Sequence, residues 1–222
     1  PIRAALLGAE GFALLGQALA EEHGPPPPTG PRIAFFPRLR DNIAVLCEAQ
    51  RVIVRQQRLG RPLSPAGEWL HDNIHDVIAQ AREVRDDLPH RYYRRLPVLG
   101  NADLAGMPRI YAIAWHYLAH TDSAFDPELL VTLLQAYQGV HGLNQAELWA
   151  LPTTLRVVLV ENLRRLAERV AAEEAAREAA HRLCDAMAGE DIRPVSPDRW
   201  FVRLRERSVV DAFALQVMQR LH

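Results

Sequence analysis

Apolar side chains recur every three or four residues along most of the chain, and this spacing predicts helices. Prolines and glycines interrupt the pattern and divide it into separate segments. No segment alternates apolar and polar residues, and no Asn-Gly or Asp-Gly pair marks a hairpin. We therefore predict an all-α fold: an irregular multi-helix bundle of about seven or eight helices with one long central helix.

Capping signals place several helix starts. Ser64-Pro65 and Asp126-Pro127 each join a capping side chain to a proline suited to the first helical position. Asn144 and Glu147 have the spacing of a capping box and predict a short helix that ends at Trp149. We expect the other helices at residues 2–22, 38–59, 65–87, 108–120, 127 onward, 152–188 and 196–222, with a short turn at 92–95.

The chain divides into four predicted segments. These are an N-terminal helix at 1–23, a proline-rich connector at 24–32, a helical core domain at 33–170 and a helical extension at 171–222. Four consecutive prolines favour a stiff polyproline II connector, with a motif for a proline-binding domain as the alternative. Because the chain opens on Pro1, we expect it to be a trimmed piece of a longer polypeptide.

Composition limits the classes of function. Apolar residues make up 49% of the 222 residues, enough for a sizeable core. The net charge of −1 produces no overall field that would attract nucleic acid or an anionic membrane. No run approaches the roughly 18 apolar residues of a membrane span, so we expect a soluble segment. Cys47 and Cys184 lack metal-ligand spacing and are expected to be free thiols.

Pairs of histidines and of carboxylates are the first candidates for chemistry. Histidines four residues apart can hold zinc on one helix face, but the sequence marks no third or fourth ligand, so we predict no metal site. Paired carboxylates can cleave glycosidic bonds, but no local pattern singles out a pair here. We interpret these groups as solvated polar faces; they are His71, His75, His116, His120, Asp72, Asp76, Asp122 and Asp126.

Aromatic residues form the second group of candidates. The run 91–95 places two adjacent tyrosines between arginines and suits stacking on a sugar or nucleotide, or contact with phosphates. The alternative, which we favour, is a turn whose tyrosines fill the core while its arginines face water. Trp69, Trp115 and Trp149 lie on apolar helix faces, and we predict that all three pack in the core.

Seven short sequence motifs stand out along the chain. They are EWLHDN at 68–73, DLPHRYYRRLP at 87–97, GMPRIY at 106–111, HTD at 120–122, ELWA at 147–150, LR at 155–156 and ENLRRL at 161–166. In this order the motifs resemble the region near the amino terminus of the cyclic β-1,2-glucan synthases, and the resemblance is strongest from 64 to 170.

The resemblance implies a role inside a much larger enzyme. Such synthases are bacterial inner-membrane proteins that polymerise glucose from UDP-glucose and then cyclise and trim the glucan in downstream domains. The aspartate and Gln-x-x-Arg-Trp motifs of a processive glycosyltransferase are not in this sequence. We therefore expect a non-catalytic accessory segment at the cytoplasmic face of that membrane, without a cofactor, acting as an interdomain scaffold.

The resemblance also implies partners and candidate residues. The expected partners are the downstream glycosyltransferase and glycoside-processing domains of the same polypeptide. Nucleic acid is not an expected partner. Contact with the membrane is expected only through the parent protein. Arg91, Arg94 and Arg95 are candidates for docking on a partner domain or on anionic headgroups.

Two other functions stay open at this stage. The family is thought to grow its glucan on the protein, so the segment is alternatively a β-1,2-glucan-binding or acceptor domain, with Tyr92, Tyr93 and Tyr111 as attachment candidates. The third interpretation is a small free-standing helical hydrolase, whose candidate residues are His71, Asp72, His75 and Asp76.

Overall fold

The described part of the chain is helical, as predicted. A computed structural model describes residues 2–25, 32–33, 35–100, 104–188 and 209–221. These residues contain eight helices and, outside them, one isolated bridge between Val98 and Pro108. The helices are α1 (Ala9–His23), α2 (Phe35–Arg58), α3 (Pro65–Asp87), α4 (His90–Tyr93), α5 (Arg109–His120), α6 (Pro127–Val140), α7 (Gln145–Ala188) and α8 (Val210–Leu221).

The predicted capping signals have the expected geometry. Asp126 accepts hydrogen bonds from the backbone N–H groups of Glu128 and Leu129 at 2.9 and 3.1 Å. Ser64 Oγ accepts from Gly67 N at 3.2 Å at the start of α3. These side chains satisfy N–H groups that have no partner inside their own helix, which fixes where each helix begins.

The first predicted helix begins later than expected. Residues 2–8 are not helical, and α1 starts at Ala9. The preceding segment makes hydrogen bonds to other parts of the chain instead: Ile2 N donates to Asn162 Oδ1 at 2.7 Å, and Ala4 N donates to the carbonyl of Ala119 at 3.0 Å. Such long-range bonds satisfy the backbone as well as a helical turn would, and helical spacing does not reveal them.

The predicted break at Pro152 is wrong. The short helix at 144–149 and the long helix at 152–188 form one helix, α7, with Pro152 inside it. Proline removes one hydrogen bond from the ladder. The turns on either side are held by other contacts: a capping box fixes the start of α7, and Ala150 before the proline and Leu155 after it are buried.

Some predicted features lie outside the described residues. They are most of the proline-rich connector, at 26–31, the stop of the long helix at Gly189 and the cap at Ser196-Pro197. Only the later part of the last predicted helix is described, as α8. The proposed boundaries at 23, 32 and 170 stay predictions.

The chain forms two compact units. The first consists of Pro1–Ile43 and Val77–Leu163. Its core contains the fully buried Phe12 of α1 and Tyr117 of α5, whose ring centroids lie 5.8 Å apart. The Tyr117 hydroxyl donates to the carbonyl of Asp126 at 2.8 Å and accepts from the N–H of the same residue at 2.7 Å, which anchors the start of α6.

The second unit consists of Ala44–Asp76 and Arg164–His222. Within it, α7 and α8 share a small apolar cluster formed by Ala176, Ala180, Val209 and Phe213. Alanines on α7 allow another helix to approach closely, which suits a core with few large side chains.

Candidate functional site

The short helix α4 carries two of the candidate tyrosines in different environments. Tyr93 is buried and donates a hydrogen bond to the carbonyl of Ile33 at 3.0 Å. Burial raises the pKa of its phenol to about 12. Tyr92 is half-buried, and its hydroxyl donates to the carbonyl of Ala146 in α7 at 2.5 Å. Both phenols are therefore held protonated by their surroundings.

The third candidate, Tyr111, lies inside the first unit. It is 2% exposed in α5, and its ring centroid is 6.1 Å from that of Trp115. Of the three tyrosines proposed as attachment points, only Tyr92 is partly exposed.

The three candidate arginines are exposed beside the tyrosines. Arg91, Arg94 and Arg95 all face solvent, and none forms an ion pair with an acidic residue in the described ranges. The nearby carboxylate of Asp87 is bound by Arg156 of α7. The turn therefore presents three positive charges that the described acidic groups do not neutralise.

Two of the three tryptophans contradict the sequence prediction. Trp149 is 71% exposed on the second turn of α7, and Trp69 is 51% exposed on α3. Only Trp115 is half-buried, against Tyr111. An exposed indole is unusual because it leaves a large apolar area in water, so Trp149 is a surface feature that sequence reasoning missed.

A buried ion pair joins α5 to α7. Arg109 is 4% exposed, and its Nε and Nη2 donate to the Glu147 carboxylate at 2.5 and 2.8 Å. Nη2 also donates to the carbonyl of Gly142 at 2.7 Å. The hydrogen bonds to Glu147 raise the pKa of Arg109, with burial acting in the opposite direction. Glu147 thus serves as a cap for α7 and as the counter-ion of Arg109.

The same network continues into α1 and α6. The Tyr137 hydroxyl lies 3.0 Å from Nδ1 of His23, and both residues are buried. Burial, with smaller contributions from His116 and Arg109, lowers the pKa of His23 to about 4. His23 is therefore neutral at pH 7, and we assign Nδ1 as the acceptor of the Tyr137 hydroxyl.

Other buried carboxylates of α7 are also bound by arginines, an asparagine or backbone N–H groups of the same unit. In the first unit, Glu161 receives two hydrogen bonds from Arg38 at 3.0 and 3.1 Å and one from Asn42 at 2.7 Å. In the second unit, Glu178 pairs with Arg55 at 3.0 Å, and Glu174 accepts from Ser64 N at 3.1 Å. These acids fasten α7 to its neighbours.

The histidine and aspartate pairs do not assemble into a site. Asp72, His75 and Asp76 are exposed on α3. On α5, the rings of His116 and His120 stack with centroids 6.4 Å apart. Across the described ranges, no three His, Cys, Asp or Glu side chains converge as metal ligands would.

The charged groups of the first and second units lie in two kinds of place, buried along α7 and exposed around α4. The buried carboxylates of α7 are bonded to arginines and backbone groups, so their charge stabilises helix packing. Among the described residues, the arginines around α4 and the indole of Trp149 are exposed and accessible to a ligand.

Within the described ranges, no helix combines the length and the hydropathy needed to cross a membrane.

Comparison with known proteins identifies a much longer relative. No protein-family model matches the chain. The protein named cyclic beta-(1,2)-glucan synthase NdvB, from Rhizobium meliloti (strain 1021), is 36% identical over 189 residues. The match covers 83% of this chain and 6% of NdvB, so the chain spans a small fraction of the length of its relative. The resemblance predicted from the sequence is confirmed as similarity to one segment of such a synthase.

Proposed function

We propose that this chain, a homologue of a segment of a cyclic β-(1,2)-glucan synthase, is a non-catalytic helical accessory segment that holds other domains of the same polypeptide in place. The observation that carries the proposal is the identity of 36% over most of this chain to only 6% of the synthase. The larger remainder of such a polypeptide has room for the glucosyltransferase and the glycoside-processing steps.

The arrangement of the buried charges supports a scaffold. Arg109–Glu147 and Arg38–Glu161 each join α7 to another helix of the first unit, and neither carboxylate opens onto solvent. Breaking such a pair leaves an uncompensated charge in the interior, so the helices are held in one arrangement. A fixed arrangement is what a docking module needs, because a partner then binds a surface that is already formed.

Co-purification tests the scaffold. The tagged 222-residue chain and the remaining polypeptide of its parent synthase would be expressed as separate proteins in one cell. We expect the two to purify together as a complex. The matched control carries Arg109→Met, which disturbs the first unit from inside and should weaken the complex. Independent migration of the two proteins would contradict a scaffold role.

Glucan binding or attachment is the second candidate, and the half-exposed Tyr92 favours it. Tyr92 lies in α4, beside exposed arginines that can donate hydrogen bonds to sugar hydroxyls. Calorimetric titration of the chain with linear β-1,2-glucan tests binding; heat lost in a Tyr92→Phe variant would support it, and no heat would oppose it.

Covalent attachment needs a separate measurement on the full synthase. After incubation with UDP-glucose, intact mass would show a ladder of hexose additions that disappears in Tyr92→Phe. Tyr93→Phe and Tyr111→Phe are the matched controls, and both should keep the ladder because these two tyrosines are buried. A ladder that persists in all three variants would exclude these attachment points.

A free-standing hydrolase is the third candidate and is tested with the chain alone. The exposed Asp72 and Asp76 would be the catalytic carboxylates of such a hydrolase. Release of sugar from β-1,2-glucan by the pure chain, abolished by Asp72→Ala, would replace the scaffold proposal.

A further inference from the structure

We propose that the surface formed by Arg91, Arg94, Arg95 and Trp149 binds the phosphate headgroups of an anionic lipid bilayer. We call these four residues the Arg–Trp surface. The inference goes beyond the scaffold role, since it gives the first unit a direct contact with lipid that is independent of any partner domain.

One hydrogen bond brings the two parts of the Arg–Trp surface together. Tyr92 lies among the arginines and donates its hydroxyl to the carbonyl of Ala146. Trp149 follows Ala146 by three residues on α7, which is about 4.5 Å along the helix axis. The arginines of α4 and its following turn are therefore anchored next to the helical turn that presents the indole.

The positive charge of the Arg–Trp surface favours binding of an anionic partner. No described acidic residue pairs with its three arginines. Two nearby carboxylates are bound elsewhere: Asp87 binds Arg156, and Glu147 is buried with Arg109. A planar guanidinium binds phosphate through two parallel hydrogen bonds, which makes arginine well suited to lipid headgroups.

The apolar part of the surface distinguishes a bilayer from a soluble anion. Trp149 is 71% exposed, and the adjacent Leu148 is 38% exposed. Indole side chains concentrate at membrane–water interfaces, where the ring is partly desolvated and its N–H remains hydrated. A free phosphate would use the arginines but leave the indole in water. A neutral glucan would use the indole but leave three charges unmatched.

Vesicle binding tests the proposal directly. The 222-residue chain would be sedimented with vesicles of phosphatidylcholine alone and with vesicles in which about a third of the lipid is phosphatidylglycerol. We expect binding only to the anionic vesicles. Because each arginine near such a surface contributes roughly fivefold to the partition coefficient, Arg91→Gln/Arg94→Gln/Arg95→Gln should lose roughly 100-fold. Binding should also weaken steeply as salt rises.

Matched variants show whether binding depends on these particular residues. They control for the loss of net positive charge and for the other tryptophans. Arg40→Gln/Arg58→Gln/Arg82→Gln removes three other exposed arginines and should retain most of the binding. A blue shift of tryptophan fluorescence on vesicle addition should vanish in Trp149→Phe and persist in Trp69→Phe. Circular dichroism confirms that each variant keeps its helices.

Three results would overturn the proposal. They are no sedimentation with anionic vesicles, equal sedimentation with neutral ones, and equal losses in the two arginine triples. A chain that ignores vesicles but binds a polyglutamate peptide through these arginines would assign the surface to an acidic protein segment instead, and would also overturn it. None of these results bears on whether the chain co-purifies with the rest of its synthase.

Discussion

Glu147 shows how far a single residue could be predicted from the sequence. Its capping box with Asn144 is formed as predicted, with reciprocal hydrogen bonds of 2.9 and 3.0 Å. Its second partner, Arg109, was not predicted, because the two residues lie 38 positions apart and only the folded chain brings them together. Local chemistry is visible in a sequence, whereas a pairing between distant helices depends on how those helices pack.

The buried ion pair leads to the first prediction. Arg109→Met should lower the free energy of unfolding by about 3–5 kcal/mol, because it leaves the Glu147 carboxylate buried without its counter-ion. The double variant Arg109→Met/Glu147→Gln should be less destabilised than the single one, since no unpaired charge remains and the amide can still accept from Asn144 N. Urea denaturation followed by circular dichroism measures both.

The pair between Arg3 and Asp122 provides the control. It has two hydrogen bonds, of 2.7 and 2.8 Å, but it is exposed. Solvent screens an exposed pair, so Arg3→Met should change stability far less than Arg109→Met. Equal effects of the two substitutions would contradict the role assigned to burial.

His23 predicts how stability depends on pH. Its folded pKa of about 4 lies below the ordinary value of 6.5, so the unfolded chain binds a proton at pH values where the folded chain does not. This contribution is fully present above about pH 6.5 and is lost as the pH falls towards 4; the part lost between pH 7 and about pH 5 amounts to roughly 2 kcal/mol. In His23→Gln, the difference in unfolding free energy between pH 7 and about pH 5 should shrink by that amount. An unchanged difference would contradict the assignment.

The tryptophans mark the limit of residue-level prediction. Trp69 and Trp149 lie on helix faces with apolar neighbours, which is why core packing was predicted. The structure leaves both of them largely exposed. Periodicity identifies a face, but it does not reveal whether another element covers that face.

At the scale of elements, the helical character of the segments and most helix starts were predictable. Whether two neighbouring helical segments form one continuous helix was not. The caps before α3 and α6 lie where the sequence placed them. The predicted start of the first helix and the predicted break at Pro152 were wrong. Both depend on how the chain packs and not on local sequence signals. Local signals set a helix start only when tertiary contacts do not compete with them.

The crossing of α1 and α6 gives the third prediction. A Cβ added at Gly16 would lie 2.5 Å from the carbonyl oxygen of Leu133 and 2.9 Å from Cβ of Ala136. Gly16→Ala should therefore force the helices apart and destabilise the chain by about 1–3 kcal/mol, although alanine is the better helix former. The midpoint of thermal unfolding measures the effect.

Gly139 of α6 is the matched control for this substitution. A Cβ at that position would meet nothing within 4 Å. Gly139→Ala should leave stability unchanged or raise it by up to about 1 kcal/mol through helix propensity. A stable Gly16→Ala variant would show that the two helices do not need this close approach.

At the scale of the whole molecule, the fold class and the resemblance to a known family were predictable from the sequence, whereas the exposed surfaces were not. The all-α class and the similarity to a segment of a cyclic β-(1,2)-glucan synthase were both predicted and are confirmed. The choice of Arg91, Arg94 and Arg95 for docking stays a prediction. The exposed Trp149 beside them emerges only when α4 and α7 are brought together.

Glucose transfer from UDP-glucose tests the central claim most directly. Three preparations would be compared: the 222-residue chain alone, the parent synthase with this segment deleted, and the two mixed. A scaffold predicts no transfer by the chain, impaired glucan synthesis by the deleted synthase, and recovery on mixing. Transfer by the chain alone, or full activity of the deleted synthase, would contradict the account.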